Sequence, residues 1–258
     1  MDLGIAGKVA LVTGSSSGIG KAVAFALAAE GVELVLFARS ESLLRQNADE
    51  IQARYKVPVL AIAGDMRSEK DVDGLRDQLV RRYGALDIFI LNTGRPPHPQ
   101  REVLDETDDK RWHDAYQTQL FGAIMVTRKV VPLMLDRGWG RVVAVTSASV
   151  KQPMAKHGLS TIFRAGVTAY MKHLANEVAA KGVTVNTVGP ASINSASPNS
   201  SYRNNQDLIA QRIRKIPVGR LGKAEEFAAT VAFLASEHAG FITGASLYVD
   251  GGMGASLY

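Results

Sequence analysis

The sequence predicts an α/β protein: a doubly wound parallel sheet of seven strands with helices on both faces, in three α/β/α layers. Three observations carry this expectation. Short apolar, β-branched runs alternate with longer amphipathic ones along the whole chain, which is the alternation of strand and crossover helix in a parallel sheet. The first strand and helix are joined by Thr13-Gly14-Ser15-Ser16-Ser17-Gly18-Ile19-Gly20, a glycine-rich turn. Gly14, Arg39, Asp65 and Asn92 each fall where a strand ends, and sheets of this kind bind ligands beyond the carboxyl ends of their strands.

Taken in order, Val9-Ala10-Leu11-Val12 reads as a buried strand. Ile19, Val23, Ala26 and Leu27 then repeat at helical spacing. Glu33–Ala38 is the second strand, and Ser40 stands where it can cap a helix from Glu41 to about Arg54. Pro58–Ala63 is the third strand, followed by a helix capped by Ser68 and running to about Tyr83, with Val72, Leu75 and Leu79 inward. Leu86–Leu91 is the fourth strand. After a proline-rich loop, Arg95–Arg101, a long helix is expected from Thr107 to about Leu135, bent near Pro132. Arg141–Thr146 is the fifth strand and a second long helix spans about Leu159–Lys181. Val183–Val188 is the sixth strand, and the serine- and asparagine-rich stretch Ala191–Asn205 reads as a mobile loop over the strand ends. Helices near Asp207–Lys215 and Ala224–Ser236 precede the last strand, Ala245–Val249. No linker divides the chain, so residues 1–258 are expected to form a single domain.

Composition narrows the function class. No uninterrupted apolar run reaches the roughly 18–20 residues of a membrane span. The opening Met1-Asp2-Leu3-Gly4 lacks a basic n-region, so no signal peptide is expected. There is no cysteine, which removes disulfides and thiolate metal sites and fits a cytoplasmic location. The net charge of +5 suits an anionic cofactor or substrate, while no basic run reads as a nucleic-acid patch.

The glycine turn carries the first chemical expectation. A helix N-terminus presents unpaired amide groups and a partial positive charge, and so attracts a pyrophosphate. Gly14 permits the tight turn, Gly18 lets a ligand approach the backbone, and Gly20 lets helix and sheet pack closely. Ser16, Ser17 and Ile19 complete the cradle. A glycine-rich loop without a ligand has the same composition, and the flanking strand and helix favour the ligand. Arg39 ends the second strand, and Phe37, Ala38 and Arg39 include no carboxylate. An acid near this point suits the ribose 2′-hydroxyl of NAD, whereas an arginine, here with Ser40, suits the 2′-phosphate of NADP(H).

Together with Asp65, Asn92-Thr93-Gly94, Ser147, Val185-Asn186, Pro190 and the tail from Pro217-Val218-Gly219-Arg220-Leu221-Gly222 to Val249-Asp250-Gly251-Gly252, these residues resemble the short-chain dehydrogenase/reductase family over essentially the whole chain. The tail most resembles the 3-oxoacyl-carrier-protein reductase branch. The resemblance implies a Rossmann-type fold, a nicotinamide cofactor, a small carbonyl or alcohol substrate and a homotetramer; Arg39 makes NADP(H) the expected nucleotide, and no metal, nucleic-acid or membrane partner is expected. It also implies cofactor contacts from Asp65, Met66, Asn92, Thr93, Gly94, Pro190 and Ile193.

At the catalytic positions the chain departs from the family. Ser147 is in place. Aligning Leu174-Ala175-Asn176-Glu177 with the family's Leu-Ala-x-Glu puts Ser160 where the proton-donating tyrosine belongs and Arg164 where the lysine belongs. Aligning Leu120-Phe121-Gly122 with the family's Leu-x-Gly puts Gln119 at the asparagine position. Ser160 and Arg164 lie four residues apart, on one helix face. A serine hydroxyl is a far weaker acid than a phenol, and arginine stays protonated. Arg164 can still bond ribose hydroxyls or a substrate carboxylate. His157 is the foremost alternative proton donor, followed by Lys151, Lys156, His98, Arg95 and Tyr202. The leading expectation is an NADP(H)-dependent oxidoreductase with an altered proton path. Its alternatives are a cofactor-binding sensor or structural partner without turnover, and a lyase or isomerase that uses the nucleotide structurally.

Overall fold

The computed structural model describes residues 1–195 and 206–257. Its strands are β1 (Val9–Thr13), β2 (Glu33–Ala38), β3 (Val59–Ala63), β4 (Ile88–Asn92), β5 (Gly140–Val145), β6 (Val183–Pro190), β7 (Ile193–Asn194), β8 (Gly222–Lys223) and β9 (Ser246–Val249). Seven of them form one parallel sheet in the order β3-β2-β1-β4-β5-β6-β9. Strand order reverses between β1 and β4, and a crevice opens there at the carboxyl edge. β7 and β8 pair separately, with Ile193 opposite Gly222. The sequence gives no sign of this ribbon, because two-residue strands carry no period.

The central strands β1 and β4 are mostly apolar because both of their faces are covered. Along β1, Ala10 and Val12 face one core while Leu11 faces the other. β4 repeats this, with Ile88 and Ile90 on the first side and Phe89 and Leu91 on the second. The first core is roofed by α1 (Gly18–Ala29), α2 (Glu41–Tyr55) and α8 (Ala224–Leu234), through residues such as Leu27, Ile51 and Phe227. The second is covered by α3 (Glu69–Tyr83), α5 (Gly122–Val130) and α6 (Gly158–Val178), through Leu75, Val126 and Met171. Each fully buried side chain of this size contributes about 1.5–3 kcal/mol relative to exposure, so the two cores dominate the fold's stabilisation.

Local signals explain the ends. Ser68 caps α3 by accepting the Asp71 amide at 3.3 Å, and Gly84 closes that helix in the left-handed region. Ser40 occupies the N-cap of α2, but its hydroxyl does not bond the helix. It lies 3.4 Å from the Ser42 hydroxyl instead.

The expected long helix from Thr107 to Leu135 is not one uniform α-helix. It consists of α4 (Asp109–Ala115), a π turn at Tyr116–Phe121, α5, and a 3-10 stretch at Val131–Arg137 with Pro132 at its start. Helical periodicity reports a face and not the hydrogen-bond span, so the π turn is invisible in the sequence. This run, Asp109–Arg137, is long and apolar enough to cross a bilayer by composition. Here Ala123, Val126, Val130 and Met134 pack into the second core, as in a core helix of a globular protein. The helix expected near Asp207–Lys215 is α7 (Gln206–Ile213). Of the expected loop after Ala191, residues 196–205, with Tyr202, lie outside the described residues.

Two glycines separate conformational strain from collision. Gly84 and Gly182 have φ of +74° and +76°, but a Cβ at Gly84 meets nothing, whereas one at Gly182 would stand 2.1 Å from the Gly138 carbonyl oxygen. Gly84→Ala should cost about 1 kcal/mol in urea unfolding, and Gly182→Ala at least ~2 kcal/mol more. Equal losses would contradict the tight Gly138–Gly182 contact.

Candidate functional site

The crevice between β1 and β4 widens into a cleft of about 1030 Å³. Its floor is built by a clamp. The Thr13 hydroxyl donates to the Asn92 carbonyl at 2.9 Å and accepts the Asn92 amide at 2.9 Å. The Asn92 side chain donates to the Gly14 carbonyl at 3.2 Å. A Cβ on Gly20 would stand 2.2 Å from the Gly14 carbonyl oxygen, so only glycine allows α1 to approach this closely. Gly14 and Gly18 have φ of +61° and +60°, the left-handed region that favours glycine. Buried Asn47 holds the loop from behind, donating to the carbonyls of Ser15 and Ser16 at 3.1 and 3.0 Å.

Ser17 sits at the N-cap of α1, and its side chain does not bond the helix. The first amides of α1 are left for an outside acceptor, and Gly14, Ser16, Ser17, Gly18 and Ile19 all line the cleft. Gly20 does not line it. It acts from behind, as the point of closest approach.

On the β2–β3 side, Arg39, Ser40, Asp65, Met66 and Arg67 line the cleft. Arg67 bonds Asp65 through Nε and through NH2, the latter at 2.6 Å. Burial pulls the Asp65 carboxyl upward, but the hydrogen bonds and charge of Arg67, with Arg39 behind it, hold it below the usual carboxylate range. Sequence reasoning overlooked Arg67. Its position two residues after Asp65, at a strand end, was the available signal.

On the β4–β5 side stand Thr93, Gly94, Ser147, Ser160 and Arg164, with Pro190 and Ile193 beyond. The Ser147 hydroxyl accepts the Ser149 amide at 3.2 Å and lies 2.9 Å from the Ser149 hydroxyl. Ser160 is buried at the start of α6, and among the described residues its hydroxyl has no protein partner.

Arg164 ties three elements together. Its Nε donates to Gln119 Oε1 at 3.1 Å, NH1 to the Thr146 carbonyl at 2.9 Å and NH2 to the Gly94 carbonyl at 3.3 Å. Burial, with repulsion from Arg95, pushes its guanidinium down to about 10, which leaves it cationic at neutral pH. Gln119 is fully buried in the π turn and does not line the cleft. Because Arg164 can only donate, the Gln119 oxygen must face it. The Gln119 amide nitrogen is left without a partner among the described residues.

The other candidate proton donors separate cleanly. Arg95, His98, Lys156 and His157 line the cleft, whereas Lys151 does not: its ammonium lies over the Tyr248 ring, 5.4 Å from its centre. His157 Nδ1 lies 2.8 Å from the Ala155 carbonyl. A carbonyl accepts, so Nδ1 carries hydrogen and Nε2 is the atom left for exchange.

The family profile described as enoyl-(acyl carrier protein) reductase matches residues 14–254. The chain belongs to the short-chain dehydrogenase/reductase family. This dehydrogenase/reductase chain is 33% identical over 247 residues to the 3-oxoacyl-(acyl-carrier-protein) reductase FabG of Salmonella typhimurium, covering 96% of this chain and 97% of the relative. It is 34% identical over 249 residues to the Escherichia coli protein of the same name, covering 96% and 97%. A crystal structure of L-sorbose reductase from Gluconobacter frateurii, complexed with NADPH and L-sorbose, superposes with a TM-score of 0.92 at 30% identity, covering 100% of both chains. The seven-stranded sheet is thus the Rossmann-like sheet of the short-chain dehydrogenases/reductases.

One wall of the cleft is held from a distance. Arg111 donates to the carbonyls of His98 at 3.2 Å and Pro99 at 2.5 Å, and pairs with buried Glu106 at 2.7 Å. The hydrogen bonds and charge of Arg111 keep the Glu106 carboxyl below its ordinary range. A carboxyl lowered on folding stabilises the protein above its unfolded pKa, and that contribution fades as pH falls through the folded value. Glu106→Gln should therefore destabilise by about 1–3 kcal/mol at pH 7, with the gap to wild type closing in acid. Urea unfolding across pH checks this, and a gap independent of pH would contradict the role of the pair.

Proposed function

We propose that the protein is an NADP(H)-dependent oxidoreductase acting on a carbonyl/alcohol pair, with a serine and an arginine where family members carry tyrosine and lysine. The observation that carries this reading is the placement of the glycine cradle, Arg39 and the Ser147–Ser160–Arg164 group around one continuous cleft. The NADPH-bound state of the L-sorbose reductase supports the same choice of nucleotide. The residues present fit such a group: Gly14 and Gly20 let the loop and α1 close onto Asn92 and onto each other, where a Cβ would collide, and this holds the first amides of α1 at the cleft for an anion.

In this reading the backbone of Gly14, Ser16, Ser17, Gly18 and Ile19 holds the pyrophosphate. Arg39 and Ser40 hold the 2′-phosphate, and Asp65, Met66, Asn92, Thr93 and Gly94 flank the adenosine and its ribose. Pro190 and Ile193 border the nicotinamide end. The bound nucleotide supplies or accepts a hydride at the substrate carbon.

Reduction also needs one proton at the substrate oxygen. Ser147, which accepts the Ser149 amide with one lone pair and accepts the Ser149 hydroxyl with the other, keeps its own O–H to donate a hydrogen bond there. Arg164 stabilises the negative charge that develops, as a fixed cation does best in a partly desolvated site. Ser160, whose hydroxyl has no protein partner among the described residues, passes a proton on, and His157, three residues earlier at the N-cap of α6, supplies it after Nε2 takes up a proton from solvent to form the imidazolium. Gln119 positions Arg164 without touching the substrate.

Titration of both nucleotides tests the cofactor assignment. One charge-assisted contact from Arg39 of about 1.5–3 kcal/mol predicts that NADPH binds roughly ten- to a hundredfold more tightly than NADH. Arg39→Asp should reverse the order, and equal affinities in the unmodified protein would overturn the assignment. Turnover is read as carbonyl-dependent loss of NADPH absorbance. Ser160→Tyr combined with Arg164→Lys should raise reduction of simple β-ketoesters above the unmodified level. Unmodified protein that already turns over such esters at ordinary rates of about 1–10³ s⁻¹, and keeps doing so with His157→Ala, would contradict the altered proton path.

A further inference from the structure

The charge lining the cleft is divided by the β1–β4 seam. On the β2–β3 side, Arg39 and Arg67 are offset by Asp65, the one carboxylate that lines the cleft among the described residues. On the β4–β6 side, the lining contains Arg95, Lys156, Arg164 and Arg212, with His98 and His157, and no carboxylate among the described residues. Glu102 comes near, accepting the Lys156 amide at 3.2 Å, but it is exposed and lies outside the lining. A nucleotide 2′-phosphate at Arg39 accounts for charge on the first side. It does not account for Lys156, Arg164 and Arg212 on the other.

Arg164 makes the imbalance specific. Its three acceptors are the Gln119 amide oxygen and two backbone carbonyls, all uncharged. A cation taken out of water is ordinarily paired with an anion. A guanidinium has five N–H bonds; three are used here, so 5 − 3 leaves two without an acceptor among the described residues, on a residue that lines the cleft. Two donors on one planar fork match the two oxygens of a carboxylate. The position that a phenol would occupy in the family holds only the small Ser160 side chain, which leaves room beside the guanidinium.

We propose that the substrate carries a carboxylate near its reacting carbon, as a small oxo acid or hydroxy acid does, and that Arg164 is the residue that binds it. This rests on the oxidoreductase reading for the identity of the reacting group. The anion site itself stands on the charge and hydrogen bonding of the cleft.

The test is calorimetric titration, independent of turnover. The protein, with and without NADP⁺, is titrated with acetoacetate and with 2-oxoglutarate, each against its methyl ester. Dihydroxyacetone phosphate against dihydroxyacetone forms a phosphate arm. At least one acid should bind about ten- to a hundredfold more tightly than its ester, by a wider margin than the phosphate gives. Arg164→Gln should remove the preference. Because that change also breaks three hydrogen bonds, Gln119→Glu is the second variant. It keeps the shape, hands Arg164 an internal carboxylate, and should abolish the preference while the protein stays folded by circular dichroism. Acids that bind no better than their esters, or an acid preference that survives Gln119→Glu, would overturn the proposal. A larger phosphate margin would overturn the choice of carboxylate. Failure of NADP⁺ to bind would fall on the cofactor reading alone, since the acids are also titrated without it.

Discussion

The structure depends on how β1 and β4 part company. Their ladder runs from Ala10–Ile88 to Val12–Ile90 and then ends. Beyond it the strands diverge, and the Thr13 hydroxyl takes over with one donated and one accepted bond to the Asn92 backbone. That clamp fixes the width of the crevice. The same Asn92 then reaches the Gly14 carbonyl, and Gly20 brings α1 down onto both. Loop, helix N-terminus and β4 end are therefore positioned by a few contacts around backbone atoms that no side chain larger than hydrogen could approach.

Arg164 plays the corresponding part on the other side of the crevice. It bolts the residue after the Asn92-Thr93 pair, the end of β5 and the π turn of the long helix to one guanidinium. A lysine has three donors on a point charge, whereas the arginine fork can bridge three separate acceptors. Arg164 is thereby a cationic brace held by three acceptors. One face of the glutamine is committed to Arg164, and its buried amide nitrogen has no partner among the described residues.

The sheet was legible because its strands are buried on both faces. Val9–Val12 and Ile88–Leu91 are apolar in every residue, and that signal survives without any knowledge of partners. The glycine cradle was legible because Gly14, Gly18 and Gly20 answer to local geometry. The cationic half of the cleft was legible only in pieces: Arg164, Arg95 and Lys156 stand out singly as candidate site residues, Arg212 does not, and the four are far apart in sequence and meet only through the topology. Nor was the division of labour among site residues. Gln119 and Gly20 carry the right pattern but stand behind the cleft wall, and the pairing of Arg111 with Glu106 becomes visible only once the structure places the two side by side.

The central claim, that one cleft holds the nucleotide against a serine–arginine reaction centre, is tested most directly by a crystal structure grown with saturating NADP⁺. The account predicts the pyrophosphate on the amides of Ser17, Gly18 and Ile19, the 2′-phosphate against Arg39, and the nicotinamide end beside Ser147, Ser160 and Arg164. A nucleotide bound outside this cleft, or one with its nicotinamide end turned away from Ser160 and Arg164, would contradict it.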